Sequence, residues 1–257
     1  MGYNAGMPRY SHLGDLAELA EEQWGLVTRR QAVLTGIPRN TLGRMTADGS
    51  LLERVTHGVY RLIGGPPADH LALRAAWLAL APDVPAWERT PDQGVVSHRS
   101  AASLWDLGEL PADIHEFTVA TGVQTRRRDV RLHHRRLYEG EWITVRGLPA
   151  TMPARIASDL LWEHEDPEAV ARLVVDAIRK VNDYPGSFAD SLAAHAARFG
   201  LRRGDGLALL RWLLELVGDP ETEQWMSEAR AHVERGRDSD AQPSEPRLGS
   251  GRRAAAL

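Results

Sequence analysis

Arg44 and Asn40 stand four positions apart in the run Arg39-Asn40-Thr41-Leu42-Gly43-Arg44-Met45-Thr46-Ala47-Asp48. A guanidinium matches guanine O6 and N7 with two hydrogen bonds, and a carboxamide does the same for adenine N6 and N7. On a helical wheel Leu42 and Met45 share one side, while Asn40, Arg44 and Ala47 fall opposite, with Gly43, Arg39 and Thr41 on the flanks. Small residues beside the Arg and the Asn would let such a helix come close to base edges. Arg29 and Arg30 open a preceding helix, where backbone N–H groups favour phosphate. Arg54, His57 and Arg61 surround a Gly-containing tip and could bring it to the phosphate backbone or the minor groove. Any solvated helix can turn Arg and Asn outward, and domains of this kind also dock on proteins. The argument therefore depends on the elements that hold these residues.

Those elements follow one another in a definite order. Leu13, Leu16, Ala17, Leu19, Ala20 and Trp24 recur at helical spacing, with Asp15, Glu18, Glu21 and Glu22 on the other face. Gly25 ends this helix, and Leu26-Val27 makes a short extended bridge. Thr28-Arg29-Arg30-Gln31 has the Thr-x-x-Gln form of a capping box, so a second helix starts at Thr28, and Gly36 stops it. Pro38 opens the third helix, which runs to Gly49. Leu51 to Val55 and Val59 to Leu62, joined by Thr56-His57-Gly58, read as a hairpin. Helix, short strand, helix, turn, helix, hairpin is the order of a winged helix-turn-helix.

Gly64-Gly65-Pro66-Pro67 is the clearest linker, placing a first domain at 1–65. Beyond it Asp69 is expected to cap a helix through Leu80, and Ser97 another from His98 to Leu107. Strand-like runs lie at Gly94 to Val96, Glu116 to Ala120, Val130 to His134 and Trp142 to Val145, so this stretch is mixed α/β up to about residue 150. Helices are expected near 153–164, 167–181, 187–199, 204–217 and 220–235. From 236 to 257 the chain is rich in Ser, Pro, Gly and charge, and is expected to be a disordered tail.

The 257 residues favour two domains, and 43% apolar with 26% charged residues is ordinary for a soluble globular protein. No cysteine is present, which excludes disulfides, Cys-based zinc sites and thiol catalysis. No apolar run reaches the ~18 residues of a membrane span, and the first residues lack the layout of a signal peptide, so a cytoplasmic protein with no membrane partner is expected. The net charge of −4 does not point to nucleic acid, but DNA answers to the field of one face rather than the total.

Other clusters invite sharper readings. Arg126, Arg127, Arg128, Arg131, Arg135 and Arg136 form the densest positive run, interrupted by Asp129. They are a candidate second surface for DNA or an acidic partner, against the plainer reading of a solvated hairpin. On a strand Val130 and Leu132 share one face and Arg131 the other. His133 and His134 would point to opposite faces and cannot easily grip one ion, so with His98 and His115 elsewhere no metal is expected, and no cofactor. Trp162, Trp212 and Trp225 read as core or interface anchors. Val170, Leu173, Val174, Ala177, Ile178 and Val181 form a wide apolar stripe, explained by internal packing or by a toxin or self-association surface.

Catalytic signatures are missing from the sequence. It has no P-loop, no Gly-x-Gly-x-x-Gly and no Gly-x-Ser-x-Gly. Lys180, the only lysine, follows Ile178-Arg179 and does not complete an Asp/Glu-x-Lys nuclease motif. Ser97, His98 and Asp159 supply the types of a hydrolase triad, but nothing in the sequence brings them together. An enzyme is not expected.

The segment from Gly25 to Leu62 resembles the N-terminal domain of AbiEi-type antitoxins. Gly49, Leu51, Gly58, Val59, Tyr60 and Arg61 match that family's hairpin motif. Ser97-His98-Arg99-Ser100-Ala101 is similar to its Ser-His-x-Ser-Ala helix start, and Gly147-Leu148-Pro149-Ala150-Thr151 with Pro153-Ala154-Arg155 to its strand-to-helix element ending in an Asp, here Asp159. Ile156-Ala157 departs from the family, where a Thr is common after the Arg. The resemblance spans about residues 12 to 215. It implies a winged helix that binds inverted repeats in its own promoter and represses the operon, and a second domain that neutralises a cognate AbiEii-like nucleotidyltransferase toxin; two-fold related half-sites would suit two copies, a homodimer on DNA.

The expected fold is α+β and predominantly helical: a winged helix-turn-helix over 1–65, and a larger mixed α/β domain over 66–235 ending in a helical bundle. The expected DNA-contacting set is Arg29, Arg30, Arg39, Asn40, Thr41, Arg44, Arg54 and His57. The alternative is a stand-alone transcriptional regulator whose second domain senses a ligand or dimerises.

Overall fold

The computed structural model describes residues 8–240 apart from 48, 50, 121 and 123. It is a mixed α/β protein with two sheets among the described residues. The chain parts into two compact units between Asp183 and Tyr184.

The first unit starts with α1 (Pro8–Glu21), β1 (Leu26–Thr28), α2 (Arg29–Leu34), α3 (Arg39–Ala47), β2 (Leu52–Thr56) and β3 (Val59–Leu62). The three strands form an antiparallel sheet in the order β1-β3-β2. This arrangement is compatible with a winged helix. Leu16, Ala20, Val27, Ala32, Ile37, Leu42 and Leu52 are buried together, with Leu13, Leu19, Met45, Tyr60 and Leu62 packed on them. The expected inward side of α3 is therefore the inward side. Thr28 caps α2 as its sequence predicts: its hydroxyl accepts from the Gln31 N–H (3.1 Å), and the Gln31 carboxamide accepts from the Thr28 N–H (2.9 Å). Gly36 turns the chain between α2 and α3 with φ +89°, and a Cβ there would lie 2.7 Å from the His12 ring.

Next come α4 (Leu71–Leu80), β4 (Val95–Val96), α5 (His98–Leu104), β5 (His115–Val119), β6 (Val130–His134), β7 (Trp142–Val145), β8 (Leu148–Thr151), α6 (Pro153–Trp162) and α7 (Pro167–Arg179). The second sheet has the order β6-β5-β4-β8-β7. β5 runs parallel to β6 and β4 to β8, and the other two pairings are antiparallel. Asp69 does not cap α4. Its carboxylate takes the Arg74 guanidinium (2.7 Å), and His70 stands at the cap position with φ 47°. Ser97 occupies the cap position of α5, but its hydroxyl bonds the His98 ring instead.

The division at Asp183 differs from a cut at the Gly64–Pro67 linker because α2 is fastened to the loop after α4. The Thr28 hydroxyl donates to Pro82 O (2.5 Å), the Gln31 carboxamide donates to Val84 O (3.2 Å), and Arg30 pairs with Asp83 (2.6 Å). Gln23 is fully buried; its amide donates to Leu26 O and Gln31, and its carbonyl accepts from the Ala86 N–H. Trp24 meets Trp77 of α4 edge to face at 6.0 Å. At the far end the Asp183 carboxylate accepts from the Ala154 N–H, holding the last turn of this unit to the start of α6.

The second unit holds α8 (Pro185–Leu192), the 3-10 segment Ala193–Phe199, α9 (Gly206–Leu216) and α10 (Thr222–Asp240). Phe188, Leu192, Leu209, Leu213 and Met226 are buried within it. Gly206 lies against the backbone of α8, where a Cβ would come within 1.8 Å of Ala189 O. α6 and α7 belong to the first unit with the sheet, and α8, α9 and α10 to the second. The helix expected to end near 235 continues to Asp240, and the rest of the expected disordered tail, 241–257, lies outside the described residues. Val181 falls past the end of α7 and is 77% exposed, so the apolar stripe closes at Ile178. Trp162 is 56% exposed with Arg135 over its ring (4.9 Å), and is not a core anchor. No helix of the described residues is long and apolar enough to cross a membrane.

Candidate nucleic-acid interface

The outward face of α3 carries Arg39, Asn40, Gly43, Arg44 and Ala47, all exposed, with Thr41 half-buried beside them. Leu42 at 1% exposure anchors the opposite side, fixing the helix about its own axis. A Cβ built on Gly43 meets nothing within 4 Å, so the middle of this face is open down to the backbone. The Arg44 guanidinium reaches back to the Thr41 hydroxyl at 3.4 Å, and the Asn40 carbonyl oxygen accepts from the Thr41 N–H at 2.9 Å. Both are weak or local contacts within exposed groups, and they leave most of the guanidinium and the carboxamide N–H donors available to an incoming base edge.

At the hairpin tip, Arg54 bonds the His57 ring (3.0 Å) and Thr56 O (3.4 Å), so these two side chains act as one cationic knob. Arg61 is drawn elsewhere. It pairs with Glu53 (2.7 Å) and donates to Gly65 O, which removes it from the tip. Arg29 is half-buried. Two of the amides at the start of α2 are engaged: Arg29 N–H donates to Gly58 O (2.8 Å) and Gln31 N–H to the Thr28 hydroxyl. The expected phosphate attraction of that helix start therefore falls to the arginine side chains, and Arg30 spends its charge on Asp83. Sequence reading missed this partner because Asp83 lies more than fifty positions away in a loop without periodic pattern.

The arginine run on and around β6 is only partly a free surface. Arg127 pairs with Asp129, Arg131 reaches Glu116 at 3.4 Å, and Arg136 lies over Tyr138 at 5.5 Å. Arg126 and Arg128 are exposed. The strand periodicity behaves as expected: Val130 is buried, and Arg131 and His133 share the face that looks onto Glu116. The Ser97 hydroxyl does meet the His98 ring (3.0 Å), but Ser97 is fully buried and cannot face a substrate.

Comparison with known proteins bears on the first of these surfaces. Residues 15–63 match the family model of the AbiEi antitoxin transcriptional regulators. The matched stretch takes in the second half of α1, all of α2 and α3, and the hairpin. A comparison with curated proteins returned no match. Among solved structures, the crystal structure of the RV2827C protein from Mycobacterium tuberculosis is 16% identical, with a TM-score of 0.47, covering 88% of this chain and 84% of that one. The AbiEi match thus falls on the residues that build and present α3.

Proposed function

We propose that the protein is a sequence-specific DNA-binding antitoxin that represses its own operon. On this reading residues 1–65 are the DNA-binding winged helix, and the rest of the chain neutralises a nucleotidyltransferase-like toxin. The open outer face of α3, with Arg44 and Asn40 around the bare backbone of Gly43, is the observation that carries the proposal. It supplies the two side chains that read guanine and adenine edges in the major groove, on a helix whose inward side is fixed by the core. The AbiEi family match on residues 15–63 supports the same reading.

Arg44 and Asn40 act as base readers, Arg39, Thr41 and Arg29 as backbone contacts, and Arg54 with His57 as the wing's contact. Arg30 contributes once DNA competes with Asp83. Two copies would meet two-fold related half-sites. Arg126, Arg128 and their neighbours remain a candidate second basic surface. The protein works in the cytoplasm, without a catalytic step.

The test uses the full chain and DNA from the region upstream of its own gene. Arg44→Ala should lose preference for that DNA over a scrambled duplex by about tenfold or more, the ~1–3 kcal/mol of one bidentate base contact. Arg29→Ala should weaken both duplexes alike and flatten the salt dependence. Unchanged preference in the Arg44 variant removes α3 from the reading role. The toxin half of the proposal predicts a nucleotidyltransferase-like reading frame beside the gene, whose co-expression is tolerated only with this chain.

A further inference from the structure

His98, His133 and Glu163 come together from three separate elements: the first turn of α5, the edge strand β6 and the residue after α6. Each offers one ligand atom, and the three atoms lie within 4.8 Å of one another. We propose that His98, His133 and Glu163 bind one zinc-class divalent ion, with Ser97 and Glu116 orienting the two imidazoles.

The surrounding bonds fit this role. The His98 Nδ1 lies 3.0 Å from the Ser97 hydroxyl; with that nitrogen donating, Nε2 carries the lone pair. The His133 Nε2 faces Glu116 Oε1 at 3.4 Å, and its Nδ1 lies 3.9 Å from Glu163 Oε1. That separation is too long for a hydrogen bond. It is near the spacing of two ligand atoms on one tetrahedral ion, about 3.3–3.6 Å for bonds of about 2.0–2.2 Å. A metal-binding imidazole whose other nitrogen bonds a carboxylate or hydroxyl is the usual outer-shell arrangement.

Charge and access agree. His98 is 2% exposed and reaches the cluster from the core side. The Glu116 carboxylate also accepts from the Arg99 N–H at 3.0 Å. Arg131 lies on Glu116, while Arg155 is occupied by Glu141 and Asp159. Glu163 is 45% exposed, which leaves solvent access for the ion and for water as a further ligand.

One rearrangement is required. The His98 and His133 rings are stacked, centroids 3.5 Å apart and planes at 13°, so their lone pairs run side by side and do not converge. Ligation turns one ring about its Cβ–Cγ bond. His133 is the one to turn, because its 3.4 Å contact with Glu116 is looser than the 3.0 Å bond of His98 to Ser97, and the Glu116 contact is remade in the turned position. His134 faces the other way, toward Ala120 O.

The full chain, stripped with a chelator and dialysed, is titrated with zinc chloride in a calorimeter and with cobalt(II) in a spectrophotometer. Wild type and His134→Gln should take up one equivalent and give the visible bands of four-coordinate cobalt. His133→Gln should abolish them, Glu163→Gln should weaken binding about tenfold or more, and Glu116→Gln about 10–100-fold. Far-UV circular dichroism checks that each variant is folded; His98, deep in the core, is left intact for that reason. No uptake by wild type overturns the site. So does uptake of wild-type affinity in His133→Gln or Glu163→Gln.

Discussion

Arg44 and Leu42 are two positions apart on α3 and have opposite fates, one exposed and one 1% exposed. Leu42→Ala should cost about 2–5 kcal/mol of stability through the cavity it leaves. Arg44→Ala should change stability by no more than about 0.5 kcal/mol, so any loss of DNA preference is local. Gly43 gives a sharper contrast. It sits inside a helix with nothing within 4 Å of a Cβ, so Gly43→Ala should stabilise the fold by up to about 1 kcal/mol, read as a higher denaturant midpoint. A lower midpoint would show that the α3 surface is not open at that position. On DNA the same methyl group should weaken binding, because it stands where the backbone approaches the groove.

Among the elements, those held by local rules were legible in the sequence. The capping box at Thr28 and Gln31, the turn at Gly36 and the hairpin around Gly58 each depend on residues within a few positions, and each forms as expected. What escaped was set by distant partners. Asp69 was expected to cap α4 but is drawn to Arg74, and Trp162 follows Arg135 to the surface. His133 was paired in sequence with His134, while in space it stacks on His98, thirty-five positions away. The end of α4 shows the same logic in the favourable direction. Arg89 donates to Trp77 O, Leu78 O and Ala81 O and lies over the Trp77 ring at 4.3 Å, satisfying carbonyls the helix end leaves open. Burial pulls its pKa down to about 9, so it stays charged at neutral pH. Arg89→Ala should cost about 1.5–3 kcal/mol, the range for hydrogen bonds to a charged group, measured by urea unfolding. A loss under about 0.5 kcal/mol would mean that water replaces the guanidinium freely.

At the scale of the molecule, α2 and α3 are carried by a unit that extends to Asp183, through Thr28, Arg30 and Gln31 on the loop after α4. DNA binding should therefore respond to that loop. Asp83→Ala frees Arg30, and should tighten binding to all duplexes and steepen its salt dependence by up to about one counterion. An unchanged slope would leave Arg30 out of the interface. The overall −4 charge makes such local release matter more than the total. The central claim is that the outer face of α3 enters the groove of the operator. The chain has no cysteine, so Ala47→Cys creates a unique attachment point for an iron-chelate cleavage reagent. Bound to DNA from upstream of its gene, the labelled protein should cut both strands at a few adjacent positions within each half-site. Cutting spread evenly along the duplex, or none at protein concentrations that saturate it, would contradict the account.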